Sequence, residues 1–260
     1  MAKAASKKLP KLAVWKFSSC DGCQLSLLDC EDQLLEVAHA LEIAYFLEAS
    51  TAIAPGPYDI SLVEGSIANQ HDISRLKEVR DQSKLLIAMG ACAVGGGVQA
   101  LRNFGDLKAY IEAVYDHPEY IDSAATSSPI SQHVAVDAEL RGCPVNKTQL
   151  LEVVAALLQG RRPYLPGGAV CLQCKQRGNT CLLVAQSIPC LGPVTQAGCG
   201  ALCPSYDRGC YGCFGPKEAA NVKSLHAWFS GRLKLSQPEL SRLFCQINCL
   251  APERFKEGPA

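Results

Sequence analysis

More than half of the chain's cysteines fall in one short segment. Eight of the fifteen lie between residues 171 and 213, interleaved with Gly and Pro. One buried cysteine is ordinary core packing, but eight thiols at such short spacings predict a segment folded around inorganic groups. Two four-cysteine cages would use all eight, and the alternatives are two cubane iron–sulfur clusters, two zinc sites or four disulfides.

Composition narrows these alternatives. The 260 residues are 48% hydrophobic, which is enough for a buried core and excludes global disorder. Lys plus Arg equals Asp plus Glu at 25 each, which argues against nucleic acid or an anionic membrane as the main partner. With no signal-like segment and no apolar run of about 20 residues, we expect a cytoplasmic protein. Disulfides are rare there, so metal chemistry better explains the cysteines.

Short β-prone runs alternate with helical patterns up to about residue 160, and this alternation predicts an α/β fold. We expect a flavodoxin-like, parallel-sheet N-terminal domain over residues 1–160. The predicted strands are 12–17, 41–47, 58–63, 84–89 and 134–140. The predicted helices are 24–39, 72–82, a short one from 98, 106–115 and 146–158, with a surface loop at 122–131.

The pattern changes beyond residue 160. A Pro- and Gly-containing linker is expected at 161–168, and few periodic apolar positions follow it. Residues 161–260 are therefore predicted to form a small, irregular, Cys-rich iron–sulfur domain, with helices at 218–229 and 237–246.

Four further cysteines each come directly after a predicted strand: Cys20, Cys23, Cys92 and Cys143. Because the carboxyl ends of parallel strands share one edge of a sheet, the fold would bring these thiols together. Four thiolates complete the ligand set of a cubane. The neighbouring Gly22, Gly90 and Gly142 would let the backbone approach it closely. The alternative is that some of these cysteines are small core residues.

The dense segment divides into two quartets by spacing. One is Cys171, Cys174, Cys181 and Cys190; the other is Cys199, Cys203, Cys210 and Cys213. Zinc is the main competitor, because paired C-x2-C motifs also make zinc ribbons. Zinc is redox-inert, however, and would not explain the set of Cys20, Cys23, Cys92 and Cys143. The exact partition of the eight cysteines between the two quartets stays open.

Several motifs together resemble the small subunit of nickel–iron hydrogenases. They are C-D-G-C at 20–23, V-E-G-S at 63–66, G-A-C-A at 90–93, R-G-C-P at 141–144, C-L-G-P-V-T at 190–195 and C-Y-G-C at 210–213. The resemblance spans about residues 11–215. It is greatest to the cytosolic, NAD(P)-linked group that includes sulfhydrogenase δ subunits.

The resemblance implies three [4Fe-4S] clusters in a line. The proximal one would be held by Cys20, Cys23, Cys92 and Cys143, the medial one by Cys199, Cys203, Cys210 and Cys213, and the distal one by Cys171, Cys174, Cys181 and Cys190. Two departures from periplasmic relatives matter. Cys171 stands where those relatives have a histidine, and Cys203 supplies a fourth medial cysteine that many of them lack.

The resemblance also implies partners. Hydrogen would be split at a Ni-Fe centre on a hydrogenase large subunit, and electrons would leave to flavin- and iron–sulfur-bearing diaphorase subunits that hold FAD and NAD(P). Glu64 would lie near the proximal cluster and is a candidate catalytic residue. The plainer alternative is a structural carboxylate that bonds turn amides. The triple glycine at 95–97 lacks G-x-G-x-x-G spacing, so it predicts a turn and no NAD(P) site here.

Three alternatives remain on the sequence alone. The same subunit type could serve a heterodisulfide or polysulfide reductase, or the chain could be a zinc-stabilised interaction protein. A respiratory complex I subunit fits less well, because that relative has an adjacent cysteine pair and lacks the C-terminal quartets.

Cys30 is expected to pack on a helix. Cys245 and Cys249 are expected to be buried thiols, and their spacing would allow them to share one helical face.

Overall fold

A five-stranded parallel sheet forms the centre of the N-terminal half. The computed structural model describes residues 9–33 and 39–251. The strands are β1 (Lys11–Lys16), β2 (Glu42–Phe46), β3 (Tyr58–Glu64), β4 (Ser83–Met89) and β5 (Ala138–Leu140). Their order across the sheet is β2-β1-β3-β4-β5, and every neighbouring pair is parallel.

This strand order is the flavodoxin-like one, which confirms the predicted fold class. The chain leaves β1 toward β2 on one side and continues to β3 on the other side. The connections after β1 and β3 therefore diverge and open a crevice at the carboxyl edge of the sheet, the usual place for a site in such folds.

Both faces of the sheet are covered. Alternating residues of β1 point to opposite faces: Leu12 and Val14 join one apolar core, and Ala13 and Trp15 join the other. The sheet is thus held rigidly between two layers of helices, and its carboxyl edge is fixed in position.

The helices are short. They are α1 (Gly22–Leu28), α2 (Gln70–Asp81), α3 (Gly90–Gly95), α4 (Leu107–Val114), α5 (Lys147–Leu158), α6 (Val170–Gln176), α7 (Leu182–Ala185), α8 (Val222–Arg232) and α9 (Gln237–Phe244). Four 3-10 helices are found at Val98–Phe104, Pro118–Tyr120, Ile130–Gln132 and Pro204–Tyr206. Asn146 caps α5 through bonds to two amides, and Gly160 follows its end with φ +67°. This helix corresponds to the one predicted over 146–158.

The predicted helix over 24–39 is interrupted in its described part: residues 24–28, 32–33 and 39 are helical, but residues 29–31 are not. Helix α1 ends at Leu28, and Glu31 has a φ of +47°, which a continuing helix does not allow. Cys30 therefore lies in a turn, buried at 3% exposure, and its thiol donates to Ser26 O. Residues 34–38 of the prediction lie outside the described residues.

The last predicted strand is shorter than expected and begins at Ala138. Asp137 explains this, because its carboxylate accepts the Leu86 N–H at 2.7 Å and binds Arg80 at 2.7 Å. The Asp137 carboxylate thus accepts the hydrogen bond that a backbone carbonyl of a longer β5 would accept.

The segment 122–131, predicted as a surface loop, is buried in its second half. Ser127 and Ile130 are completely buried. Ser127 bonds Ser66 and Asn103, and Ile67 pairs with Ser128. The sequence shows only small polar residues here, and tertiary hydrogen bonds bury them.

The C-terminal half has no sheet in its described part, as its sequence predicted. Its two longest helices, α8 and α9, start later or end earlier than expected and share an apolar core through Phe229 and Phe244. Arg141 bonds Gln196 and Pro216 O, so the end of β5 contacts this half directly. Within the described residues, the helices are all too short or too polar to cross a bilayer.

Candidate metal centres

The four cysteines that follow strands lie at the carboxyl edge of the sheet. Cys20 and Cys23 lie in the turn after β1 and the start of α1, Cys92 lies in α3 after β4, and Cys143 follows β5. Their thiols are mutual electrostatic neighbours: Cys92 interacts with Cys20, Cys23 and Cys143, and Cys143 interacts with Cys20. We call this set the sheet-edge quartet.

Glycines leave room around the sheet-edge quartet. A Cβ on Gly90 would lie 2.4 Å from Cys23 Sγ, and one on Gly97 would lie 2.6 Å from Cys92 Sγ. Both glycines have positive φ, at +87° and +63°. Side chains are therefore excluded from the space beside these sulfurs.

Glu64 lies at the end of β3, in the crevice, and is 1% exposed. Its Oε1 accepts the Cys23 N–H at 3.0 Å, and its Oε2 accepts the Gln24 side-chain amide at 2.9 Å. The carboxylate bonds a turn amide, as the structural alternative predicted. It also lies beside the thiols of Cys23 and Cys143.

The first C-terminal quartet surrounds one cavity of about 40 Å³. Its members Cys171, Cys174, Cys181 and Cys190 all line it. The first two lie on α6, the third immediately precedes α7, and the last follows a short loop. Cys190 is 9% exposed, whereas Cys181 lies at the surface. We call this set the outer quartet.

The second C-terminal quartet lines a larger cavity of about 240 Å³. All four of its members line this cavity: Cys199, Cys203, Cys210 and Cys213. Cys143 of the sheet-edge quartet and Val170, which begins α6, line the same cavity. This set therefore lies between the other two, and we call it the middle quartet.

Close approaches between cysteines join the three sets in order. Cys143 lines the middle cavity together with Cys213, and the two thiols interact electrostatically. The Cys210 N–H donates to Cys190 Sγ at 3.2 Å, which links the middle and outer quartets. Cysteines of neighbouring sets thus lie close together at each junction.

Burial raises the thiol pKa in all three sets. Desolvation first, and then neighbouring cysteines, raise the pKa of Cys171 to about 11 and that of Cys213 to about 12. Burial likewise raises the pKa of Cys92 to about 11. Such thiols are protonated at neutral pH without a metal, so cluster loading must release protons.

The residues fit four-iron clusters by their donor set and surroundings. Each C-terminal quartet faces one cavity, and backbone N–H groups of Gly192 and Gly212 point at the sulfurs of Cys190 and Cys210. Among the described residues, no three His, Cys, Asp or Glu side chains converge closely enough for a single metal ion. A cubane takes one thiolate per iron, so its ligands surround a cavity instead of one point.

The three remaining cysteines lie outside these sets. Cys30 is buried, as expected, but it lies in a turn and not on a helix. Helix α9 ends at Phe244, so Cys245 and Cys249 do not share a helical face. Burial raises the pKa of the Cys245 thiol, and Cys249 is 2% exposed.

Sequence reasoning missed several supporting residues. Gln99 Oε1 accepts the Cys92 thiol at 3.4 Å, and its amide bonds Ser18 O. Asn248, 4% exposed, donates to the carbonyls of Gly212 and Cys213. Amide side chains of this kind have no spacing signature, so the only available signal was their place near cysteine motifs.

The chain is similar to known proteins over most of its length. Residues 20–157, which carry the whole sheet-edge quartet and Glu64, match the family "NADH ubiquinone oxidoreductase, 20 Kd subunit". The chain is 37% identical over 215 residues to sulfhydrogenase 2 subunit delta of Pyrococcus furiosus, covering 83% of this chain and 90% of that one. The chain belongs to this family and is a hydrogenase subunit.

Other relatives agree with the family. The chain is 34% identical to a subunit of the F420-non-reducing hydrogenase of Methanocaldococcus jannaschii, over 80% of this chain and 82% of that one. Among solved structures, an NAD+-reducing [NiFe]-hydrogenase in its H2-reduced state matches with a TM-score of 0.57 and 26% identity. That match covers 61% of this chain and 96% of the other. The family name cites complex I, but these relatives are hydrogenase subunits.

Proposed function

We propose that this hydrogenase subunit relays electrons between a nickel–iron large subunit and an NAD(P)-linked acceptor. The sheet-edge, middle and outer quartets would hold the proximal, medial and distal [4Fe-4S] clusters. The subunit would divide at about residue 160, with the first quartet in the N-terminal domain and the other two in the C-terminal domain.

One observation carries this proposal: three cysteine quartets lie in succession, with cysteines of neighbouring quartets close together at each junction. Cys143 and Cys213 line one cavity, and the Cys210 N–H donates to Cys190 Sγ. At the two ends, Cys20 and Cys181 are exposed. A series of redox sites that opens to the surface at both ends suits electron entry and exit.

When bound, the clusters supply reversible one-electron redox chemistry. The chain's own residues do the rest. Burial of Cys23 and Cys210 excludes water from the sulfurs, and backbone N–H donors to sulfur stabilise negative charge there, which adjusts the potential. Glu64 fixes the Cys23 turn through its bond to the amide and adds a negative charge beside the proximal site.

The partners follow from the same proposal. The Ni-Fe centre belongs to the large subunit, and FAD and NAD(P) belong to diaphorase subunits. One structural neighbour is named as NAD+-reducing, which supports this acceptor. Purification of the intact complex would identify a heterodisulfide or polysulfide reductase instead, if that is the partner. We propose a cytoplasmic location for the assembly.

The test is iron and acid-labile sulfide content, measured on the subunit after anaerobic purification with its native partners and separation from them. About twelve irons and twelve sulfides per chain match three cubanes. Zinc without sulfide would refute the relay. About eight irons would leave a relay with one quartet wrongly assigned.

A further inference from the structure

The zero net charge of the chain hides a strong separation of charge. Residues 161–260 contain 12 Lys or Arg and 5 Asp or Glu, whereas residues 1–160 contain 13 and 20. The two halves therefore carry formal charges of +7 and −7. The sheet-edge quartet belongs to the negative half of the sequence, and the middle and outer quartets belong to the positive half.

The positive charge surrounds the outer quartet. No Asp or Glu occurs between Arg161 and Tyr206. Lys175 and Arg177 are exposed at the end of α6, the helix that carries two of the quartet's cysteines. Arg208 is exposed two residues before Cys210, whose amide bonds the quartet, and the only adjacent acid is Asp207.

The outer quartet also reaches the surface beside an apolar rim. Cys181 is exposed, and the side chains of Leu172 and Val184, on α6 and α7, are 56% and 75% exposed. A small apolar contact region within charges of one sign is typical of transient protein interfaces, where charge steers the encounter and apolar contact seats the partner.

We propose that this exit face, formed by Leu172, Lys175, Arg177, Val184 and Arg208 around Cys181, docks an acidic electron-accepting protein. The inference rests on the proposed function and deepens it. The reduced outer site is the donor and the docked protein is the oxidant. No bond forms, and two single-electron transfers match the two electrons released from one H2.

The charge separation gives the docking its direction. An acidic carrier is attracted to the positive half and repelled by the negative half, so it meets the subunit at the outer quartet. A phosphate backbone or lipid headgroup would also meet a positive surface, but neither accepts electrons. The positive charge surrounds a redox site, and this favours a redox protein.

The experiment uses the complex of this subunit with its large subunit, freed of the acceptor subunits, under H2, with an acidic ferredoxin and a basic cytochrome c as the two acceptors. The test variant is Lys175→Glu/Arg208→Glu, because neither side chain makes a hydrogen bond or ion pair among the described residues. The control is Lys77→Glu/Lys84→Glu, which makes the same charge change on exposed residues of the negative half.

At low salt, we expect ferredoxin reduction by the test variant to fall about tenfold, and added salt to slow the wild-type complex. The control should change less than twofold. Cytochrome c reduction should rise in the test variant. Equal ferredoxin reduction rates in the wild-type and test complexes would overturn the docking inference. It would also be overturned if the wild-type and control complexes bind phosphatidylserine vesicles and the test variant does not.

Electron paramagnetic resonance separates this inference from the proposed function. Reduced-cluster signals should appear under H2 in the wild-type, test and control complexes alike. If the wild-type complex shows none, the relay itself is refuted, and the docking inference with it. If the signals appear but the rates do not respond to charge, the docking alone is wrong.

Discussion

The Cys210 N–H donates to Cys190 Sγ over 3.2 Å, and the two residues belong to different quartets. Gly209 makes this approach possible. A Cβ on Gly209 would lie only 1.9 Å from Pro189 O, so any other residue must separate the two segments. The distance between the middle and outer sites therefore depends on the absence of a side chain at Gly209.

We predict that Gly209→Ala weakens the junction of the middle and outer sites. The methyl group would push residues 189–190 away from 209–210 and break the Cys210–Cys190 bond. Gly167→Ala is the matched control, because a Cβ there meets nothing within 4 Å. Magnetic coupling between neighbouring reduced clusters should fall in the first variant only. Equal coupling in both would show that the bond does not set the spacing.

Cys190→Ala should remove one cluster without unfolding the rest. Four of about twelve irons should be lost, because Cys190 lines only the outer cavity. Cys245→Ala is the control: it deletes a half-buried thiol that lines neither quartet cavity. Metal analysis of both variants decides the assignment. Full iron content in Cys190→Ala would place the ligand elsewhere.

Glu64 and Gln24 form a buried donor–acceptor pair that a swap can test. Glu64→Gln leaves one acceptor oxygen for two donors, the Cys23 N–H and the Gln24 amide, so one donor faces an NH2 group and the chain should be destabilised by about 1–3 kcal/mol. The double change Glu64→Gln/Gln24→Glu restores a donor facing an acceptor and should recover part of the loss. Denaturant unfolding measures both. Simple addition of the two single effects would show that the pair is not coupled.

Asp137 should make stability depend on acid pH. Burial would raise its pKa, but bonds from the Leu86 N–H and Arg80 hold that pKa below its usual value. Such a group stabilises the fold above its unfolded pKa of about 3.8, and the stability is lost as pH falls through the lower folded value. Since the side chain is 41% exposed, we expect about 1 kcal/mol.

Asp137→Asn is the comparison. Wild type should be more stable than the variant at pH 7, and the two unfolding curves should converge below pH 4. A stability difference that persists unchanged at pH 3 would contradict the charged role of Asp137.

The sheet could be predicted because its signals are local. Each strand is an apolar run that ends in a turn motif, and parallel pairing then brings residues as distant as Cys20 and Cys143 to one edge. The exact lengths of the elements and the burial of residues in the irregular segments could not be predicted from the sequence. β5 is short because the Asp137 side chain accepts a hydrogen bond from the Leu86 N–H. A side chain that competes with strand pairing in this way leaves no periodic pattern in the sequence.

The quartets were recognised from spacing and family resemblance, and the structure places the members of each C-terminal quartet around a single cavity. The contacts between quartets were not foreseen, because Cys190 and Cys210 are brought together by a close backbone approach at Gly209. The charge separation was present in the sequence. It was missed because the two halves cancel in the total.

Asn248 gives the C-terminal segment a role in the timing of assembly. It packs on Gly95 beside α3 and bonds the carbonyls of Gly212 and Cys213, and Leu250 N–H bonds Gly95 O. On the ribosome, Cys143 emerges about 100 residues before these contacts can form, which is roughly 5 to 20 seconds at ordinary synthesis rates. During that interval the four sheet-edge cysteines are already synthesised, whereas the contacts that tie α3 to the middle quartet's segment have not yet formed.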